Sequence, residues 1–195
     1  GPEIVTGNPV KRKRLIRGAL AVVFATILLA GCNQNQPAGD ADAFFQQGNA
    51  AFEQGNLAEA EQAYKQALEI DKTDAAYWTN LGVTYYSLGQ LDDAEQAFVS
   101  GLAAEPNDAE LHYLLGATYL QLDKLDDAES NLQAATELDP TLPEPYFGLG
   151  ALYQLQGKPD EAIKAFERFL EIGPGQDPAA APAARATLEA LQAGQ

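Results

Sequence analysis

One thiol and one imidazole are all that this sequence offers for soft-nucleophile or metal chemistry. Cys32 and His112 are each a single copy in 195 residues, so no disulfide framework and no Cys/His metal site can be assembled within the chain. Ser87, Ser100 and Ser130 lack the Gly-x-Ser-x-Gly setting that exposes a serine nucleophile. Paired carboxylates are more frequent. Asp92-Asp93, Asp126-Asp127 and Asp160-Glu161, with a single Glu59 before them, have the makings of an acid–base pair or a cation site. They recur, however, at the same place in successive stretches of chain, at the predicted start of a helix, where a carboxylate complements the helix dipole. No phosphate loop, zinc motif or dinucleotide fingerprint is present. The expectation is therefore no catalytic residue, no metal and no cofactor.

The surroundings of Cys32 suggest a different use for its thiol. Lys11, Arg12, Lys13, Arg14 and Arg17 form a basic run, and thirteen mostly apolar residues from Gly18 to Ala30 follow it. This has the order and length of a secretory leader and falls short of the roughly 20 apolar residues a transmembrane helix needs. The segment ends in Leu29-Ala30-Gly31-Cys32, which resembles the lipobox of bacterial lipoproteins. That resemblance implies a diacylglyceryl group on Cys32, cleavage between Gly31 and Cys32, and acylation of the new amine. Two or three acyl chains, at about 0.8 kcal/mol per buried methylene, hold a protein on a membrane durably. An uncleaved anchor, or ordinary secretion with an incidental cysteine, is the alternative. Residues 1–31 are thus expected to be a leader and 32–40 a polar flexible tether. Attachment is expected in the bacterial cell envelope, at the outer membrane or the external face of the cell membrane.

The remainder of the chain is strongly acidic. Five of the twelve basic residues and one of the 28 acids precede Cys32, leaving seven bases against 27 acids. Such a surface repels phosphate backbones, so no nucleic-acid partner is expected. It repels anionic headgroups as well, so membrane contact must come through the lipid on Cys32.

What must position every other residue is a period of 34. Glycine recurs at Gly48, Gly82, Gly116 and Gly150, alanine at Ala60, Ala94, Ala128 and Ala162, and proline at Pro106, Pro140 and Pro174. Trp78, Leu81, Gly82 and Tyr85 fall on one helical face at i, i+3, i+4 and i+7. Gly82 and Ala94 mark a close approach of two helices. Gly55, Gly89 and Gly157 sit in the intervening turns, where a left-handed residue is needed, with Asp123 in that slot in the third unit. The second unit, Trp78-x2-Leu81-Gly82-x2-Tyr85, Ala94-x3-Phe98 and Pro106, resembles the full tetratricopeptide repeat (TPR) signature. Gln47, His112, Gly101 and Phe169 depart from it. The resemblance implies an all-α, right-handed α-solenoid of helix-turn-helix units over 41–74, 75–108, 109–142 and 143–176, and residues 177–195 provide a candidate capping helix and tail.

Each first helix also carries a second stripe: Phe45, Asn49 and Phe52; Thr79, Val83 and Tyr86; Tyr113, Ala117 and Leu120; Phe147, Ala151 and Gln154, with Asn80 and Leu114 adjoining. An ordinary surface helix needs one apolar stripe, so a second one requires a cover. In TPR proteins these positions line a concave groove. Tyr86, Tyr113 and Phe147 are the expected anchors, free of packing duty. None of the stripe residues is basic, so a clamp for a peptide carboxylate is not expected; an amphipathic helix or an extended apolar segment suits the stripe better. The reading is a membrane-anchored scaffold whose groove binds other envelope proteins or peptides. The alternative is a subunit of an envelope enzyme or ligand-binding system, its groove filled by the C-terminal helix or a second copy.

Overall fold

The computed structural model describes residues 40–173 and 180–193. Gly31, Cys32, the leader and most of the tether lie outside the described residues, as does the segment joining Gly173 to Ala180.

Among the described residues all regular structure is helical: α1 (Ala41–Glu53), α2 (Leu57–Ile70), α3 (Ala75–Ser87), α4 (Leu91–Ala104), α5 (Ala109–Gln121), α6 (Leu125–Leu138), α7 (Glu144–Leu155), α8 (Pro159–Ile172) and α9 (Ala180–Ala193). Local chemistry sets the boundaries. Asp40, Asp74 and Asp108, again 34 residues apart, cap α1, α3 and α5, their carboxylates accepting from Asp42 N at 3.1 Å, Ala76 N at 2.7 Å and Leu111 N at 3.0 Å. The seventh helix follows Pro143 and carries proline in its first turn instead. Even-numbered helices α2 to α8 have no side-chain cap; each opens with acids in the first turn, where the dipole favours them.

Odd-numbered helices α1 to α7 end in one recurring turn. Asn56 N donates to Ala51 O at 2.9 Å, Gln90 N to Tyr85 O at 2.9 Å, Lys124 N to Tyr119 O at 2.9 Å and Lys158 N to Tyr153 O at 2.8 Å. This bond needs a left-handed residue just before the donor. Gly55, Gly89 and Gly157 supply it at φ 81°, 75° and 68°, and Asp123 takes φ 58° in the third turn.

The paired helices close over the recurring glycine. A Cβ on Gly48 would stand 2.5 Å from the Tyr64 ring, on Gly82 2.6 Å from Phe98, on Gly116 2.8 Å from Leu132 and on Gly150 2.7 Å from Phe166. Absence of a side chain therefore seats the largest core residue of the partner helix, and each of those four is fully buried. Each even-numbered helix then packs on the next odd-numbered one, α8 on α9 included, while α1, α3, α5 and α7 also touch in succession. The corresponding contacts along α2, α4, α6 and α8 are sparser. Two rows result, an inner row drawn together and an outer row splayed apart. This is the all-α helical-repeat solenoid expected from the period. At its C-terminal end Ala180 and Ala184 of α9 are buried in one cluster with Phe166 and Phe169 of α8.

Candidate functional site

The inner row carries the second stripe, and the fold has already covered much of it. Phe45 of α1 lies 5.8 Å from the Tyr64 ring and 4.9 Å from that of Tyr77. Asn49 Oδ1 accepts from Tyr64 Oη and from Asn80 Nδ2, both at 2.8 Å. Burial pushes the Tyr64 hydroxyl well above the usual tyrosine range, so it stays a donor. Tyr77 Oη reaches Asp42 of the preceding repeat at 2.7 Å. Thr79 donates to Ala75 O at 2.7 Å. Val83, Tyr113, Leu114, Ala117 and Leu120 are buried in one cluster, with Phe52 and Tyr86 half-buried against it. Phe147 packs edge-on against Phe166 at 5.6 Å and Phe169 at 5.3 Å. Ala151 is half-buried, and Gln154 alone of the stripe is exposed.

These contacts correct the expectation that the anchors are free of packing duty. Tyr113 is 9% exposed, Phe147 completes the joint between α7 and α8, and Tyr86 is drawn in far enough for desolvation to raise its hydroxyl pKa, with Gln121 acting in the opposite sense. The physical reason is the contact between successive inner helices, which buries a second face that an isolated repeat would expose. What the stripe leaves open is therefore narrower: parts of Phe52, Tyr86, Phe147 and Ala151, with Gln154.

The outer row differs. Splaying of α2 from α4 opens a cleft of about 540 Å³ whose floor is Trp78, Leu81 and Tyr85, with Lys65, Glu69 and Asp93 among its walls. Sequence reasoning missed this cleft because its floor residues match packing positions of the repeat. Lys65 is held there already, ion-paired with Glu61 at 2.5 Å and over the Tyr85 ring at 5.5 Å. Equivalent contacts put Lys124 over Tyr119, Lys158 over Tyr153 and Arg168 over Tyr146. Most of the bases among the described residues thus stand on tyrosine faces.

His112 is likewise structural. Its Nε2 lies 3.0 Å from Pro106 O and its Nδ1 3.0 Å from Asn131 Oδ1. Trp78 Nε1 makes the same bond to Lys72 O at 2.8 Å, and Tyr146 Oη a longer one to Pro140 O at 3.4 Å. This slot fastens α3, α5 and α7 each to the turn before it, and the imidazole fills it as an indole or phenol does. Among the described residues no three or more His, Cys, Asp or Glu side chains are grouped to hold a metal.

Family models described as tetratricopeptide repeat match residues 19–75, 51–118 and 108–174. This chain belongs to the tetratricopeptide repeat family. Among curated proteins none matches the sequence. Solved structures resemble it over most of its length. A crystal structure of MamA superposes with a TM-score of 0.66 at 26% identity, covering 78% of this chain and 86% of that one. YrrB, a TPR protein with an unusual peptide-binding site, gives 0.66 at 27%, covering 79% and 77%. The first TPR of Spaghetti (RPAP3), bound to the HSP90 peptide SRMEEVD, gives 0.57 at 27%, covering 64% and 94%. The family and these neighbours support a protein-interaction scaffold.

Proposed function

We propose that this TPR protein is an envelope scaffold, tethered to a membrane through lipid on Cys32, that binds a protein or peptide along the inner row. The observation carrying the binding reading is the residual exposure of Phe52 on α1, Tyr86 on α3 and Phe147 and Ala151 on α7, with the buried stripe of α5 between them. This leaves a row of partly covered aromatic and small side chains that a partner can finish burying. Large aromatics in a desolvated groove are common hot spots. Peptide binding by YrrB and by the first TPR of Spaghetti lends support by analogy. Anchoring rests on the order of basic run, apolar segment and Leu-Ala-Gly-Cys. The described C-terminal helix makes its main contacts with α8, which favours an outside partner over self-occlusion.

Two measurements test the two halves separately. Metabolic labelling with a fatty acid should mark the wild type and leave Cys32→Ala unlabelled; label on the alanine variant, or none on the wild type, rejects the anchor. For binding, crosslinked capture from cells should be compared between wild type and Phe52→Ala/Tyr86→Ala/Ala151→Glu. Specific partners should fall by roughly 30-fold or more, from about 2 kcal/mol at a hot spot, and the thermal melt of the variant shows whether it remains folded. Undiminished capture by a folded variant rejects the inner row.

A further inference from the structure

The charge of the chain is divided between the two rows. All seven bases from Cys32 onward lie on α2, α8, α9 or in turns: Lys65, Lys72, Lys124, Lys158, Lys164, Arg168 and Arg185. The inner helices α1, α3, α5 and α7 contain no lysine or arginine, and their acidic residues are Asp42, Glu53, Glu110 and Glu144. Three of these acids belong to the stripe by helical spacing. Asp42 precedes Phe45 by three and Asn49 by seven; Glu110 precedes Tyr113, Leu114 and Ala117 by three, four and seven; Glu144 precedes Phe147 and Ala151 by three and seven. The equivalent place on α3 is Ala76, half-buried. Asn80, 5% exposed, adds a buried acceptor, Oδ1, that meets no donor.

From this we propose that the inner row takes a cationic amphipathic segment, its apolar side on the partly covered aromatics and its lysines or arginines toward Asp42, Glu110 and Glu144. The inference rests on the reading of the inner row as the binding face and adds the sign of the partner. A partner of this sign meets only acids among the lysine, arginine and carboxylate side chains of these helices, whereas an anionic one meets repulsion with no base there to offset it. The peptide SRMEEVD bound by the first TPR of Spaghetti carries more acids than bases, so this chain is expected to select the opposite class.

The test uses the full chain in phosphatidylcholine nanodiscs, with empty discs as control. The probes are two fluorescent peptides of about 18 residues, five helical turns, that share one leucine face and carry either lysine or glutamate on the other. Anisotropy should show the lysine peptide binding about tenfold or more tighter than the glutamate peptide. Ala76→Lys, which removes no existing contact of an acid, should weaken the lysine peptide severalfold and strengthen the other, and Glu110→Gln/Glu144→Gln should weaken the lysine peptide. Asp92→Asn/Asp93→Asn/Asp126→Asn/Asp127→Asn on the outer row should leave it nearly unchanged. Equal binding of both peptides, lost in Ala151→Glu, overturns the charge inference and leaves the inner-row reading standing. Lysine-peptide binding that follows the outer acids instead overturns the charge inference, and binding of neither peptide overturns it together with the inner-row reading.

Discussion

The inner and outer rows descend from one 34-residue unit but solve different burial problems. In the middle of the array, α3 and α5 each bury eight residues, whereas α4 buries four and α6 three. An inner helix is enclosed by its own partner, by the outer helix before it and by inner neighbours, so it is apolar nearly all round; an outer helix keeps one solvated side. Acids and bases can therefore mix on the outer row, with lysines folded over tyrosines. On the inner row polar groups survive where they are bonded, as with Asn49, whose Oδ1 accepts from Tyr64 of the outer row and from the Asn80 amide, or at helix ends. The comparison teaches that packing stripe and binding stripe are not separate on the inner row. A partner there completes a surface that the fold has partly closed.

The comparison is broken most severely at the glycines where the rows meet. Gly82→Leu should cost about 3 kcal/mol or more, because even a Cβ there would stand 2.6 Å from the Phe98 ring; this is roughly a 6–12 °C fall in melting temperature. Gly116→Leu should behave alike, and unchanged melts in both would mean that the rows do not meet at these residues. Removing the inner polar junction should have the next largest effect. Asn49→Leu strands the Tyr64 hydroxyl and the Asn80 amide, at about 1–3 kcal/mol, while Tyr64→Phe, which removes the donor, should cost less; the reverse order in denaturant titrations would show that Asn49 is not the shared acceptor.

Smaller effects belong to the fastenings. His112→Phe keeps the ring but loses the bonds to Pro106 and Asn131, and about 1 kcal/mol should go with them; a neutral result would leave ring packing as the whole of its role. The smallest effect is at the turn into α3. Asp71 accepts from Thr73 N at 2.8 Å and Thr73 Oγ1 at 2.7 Å, bonds that hold its carboxyl below the usual carboxylate range, the backbone bond contributing most. Because the folded pKa is lowered, its contribution is present at neutral pH and lost as pH falls through the folded value. Asp71→Asn should therefore lower the melt slightly at neutral pH and converge with wild type in acid. A gap that persists in acid would locate the effect in the turn's shape instead.

Legibility in the sequence varied with the range of the interaction. Helix pairs, left-handed turns and the first-turn acids could be read directly, because caps, dipoles and φ preferences act within a few residues of the side chain concerned. The close approach at Gly82 was readable too, since glycine and alanine recur at matched positions in a repeated unit; that Phe98 is the residue seated over the glycine was not. The Asn49–Tyr64–Asn80 junction was not, because it joins three helices through residues 15 and 31 positions apart, and no local preference marks an asparagine as buried. Nor was the outer cleft, whose floor serves as packing at the same time.

The sequence by itself determined the repeat, its helices, the small residues where paired helices meet and the placement of every base off the inner helices, all consequences of residue type and spacing. Tertiary structure decided how much of the second stripe stays open. Two copies of the same stripe cover each other when inner helices touch, and the closeness of that touch follows from how far the outer helices splay, a property of the stacked array that no single repeat contains.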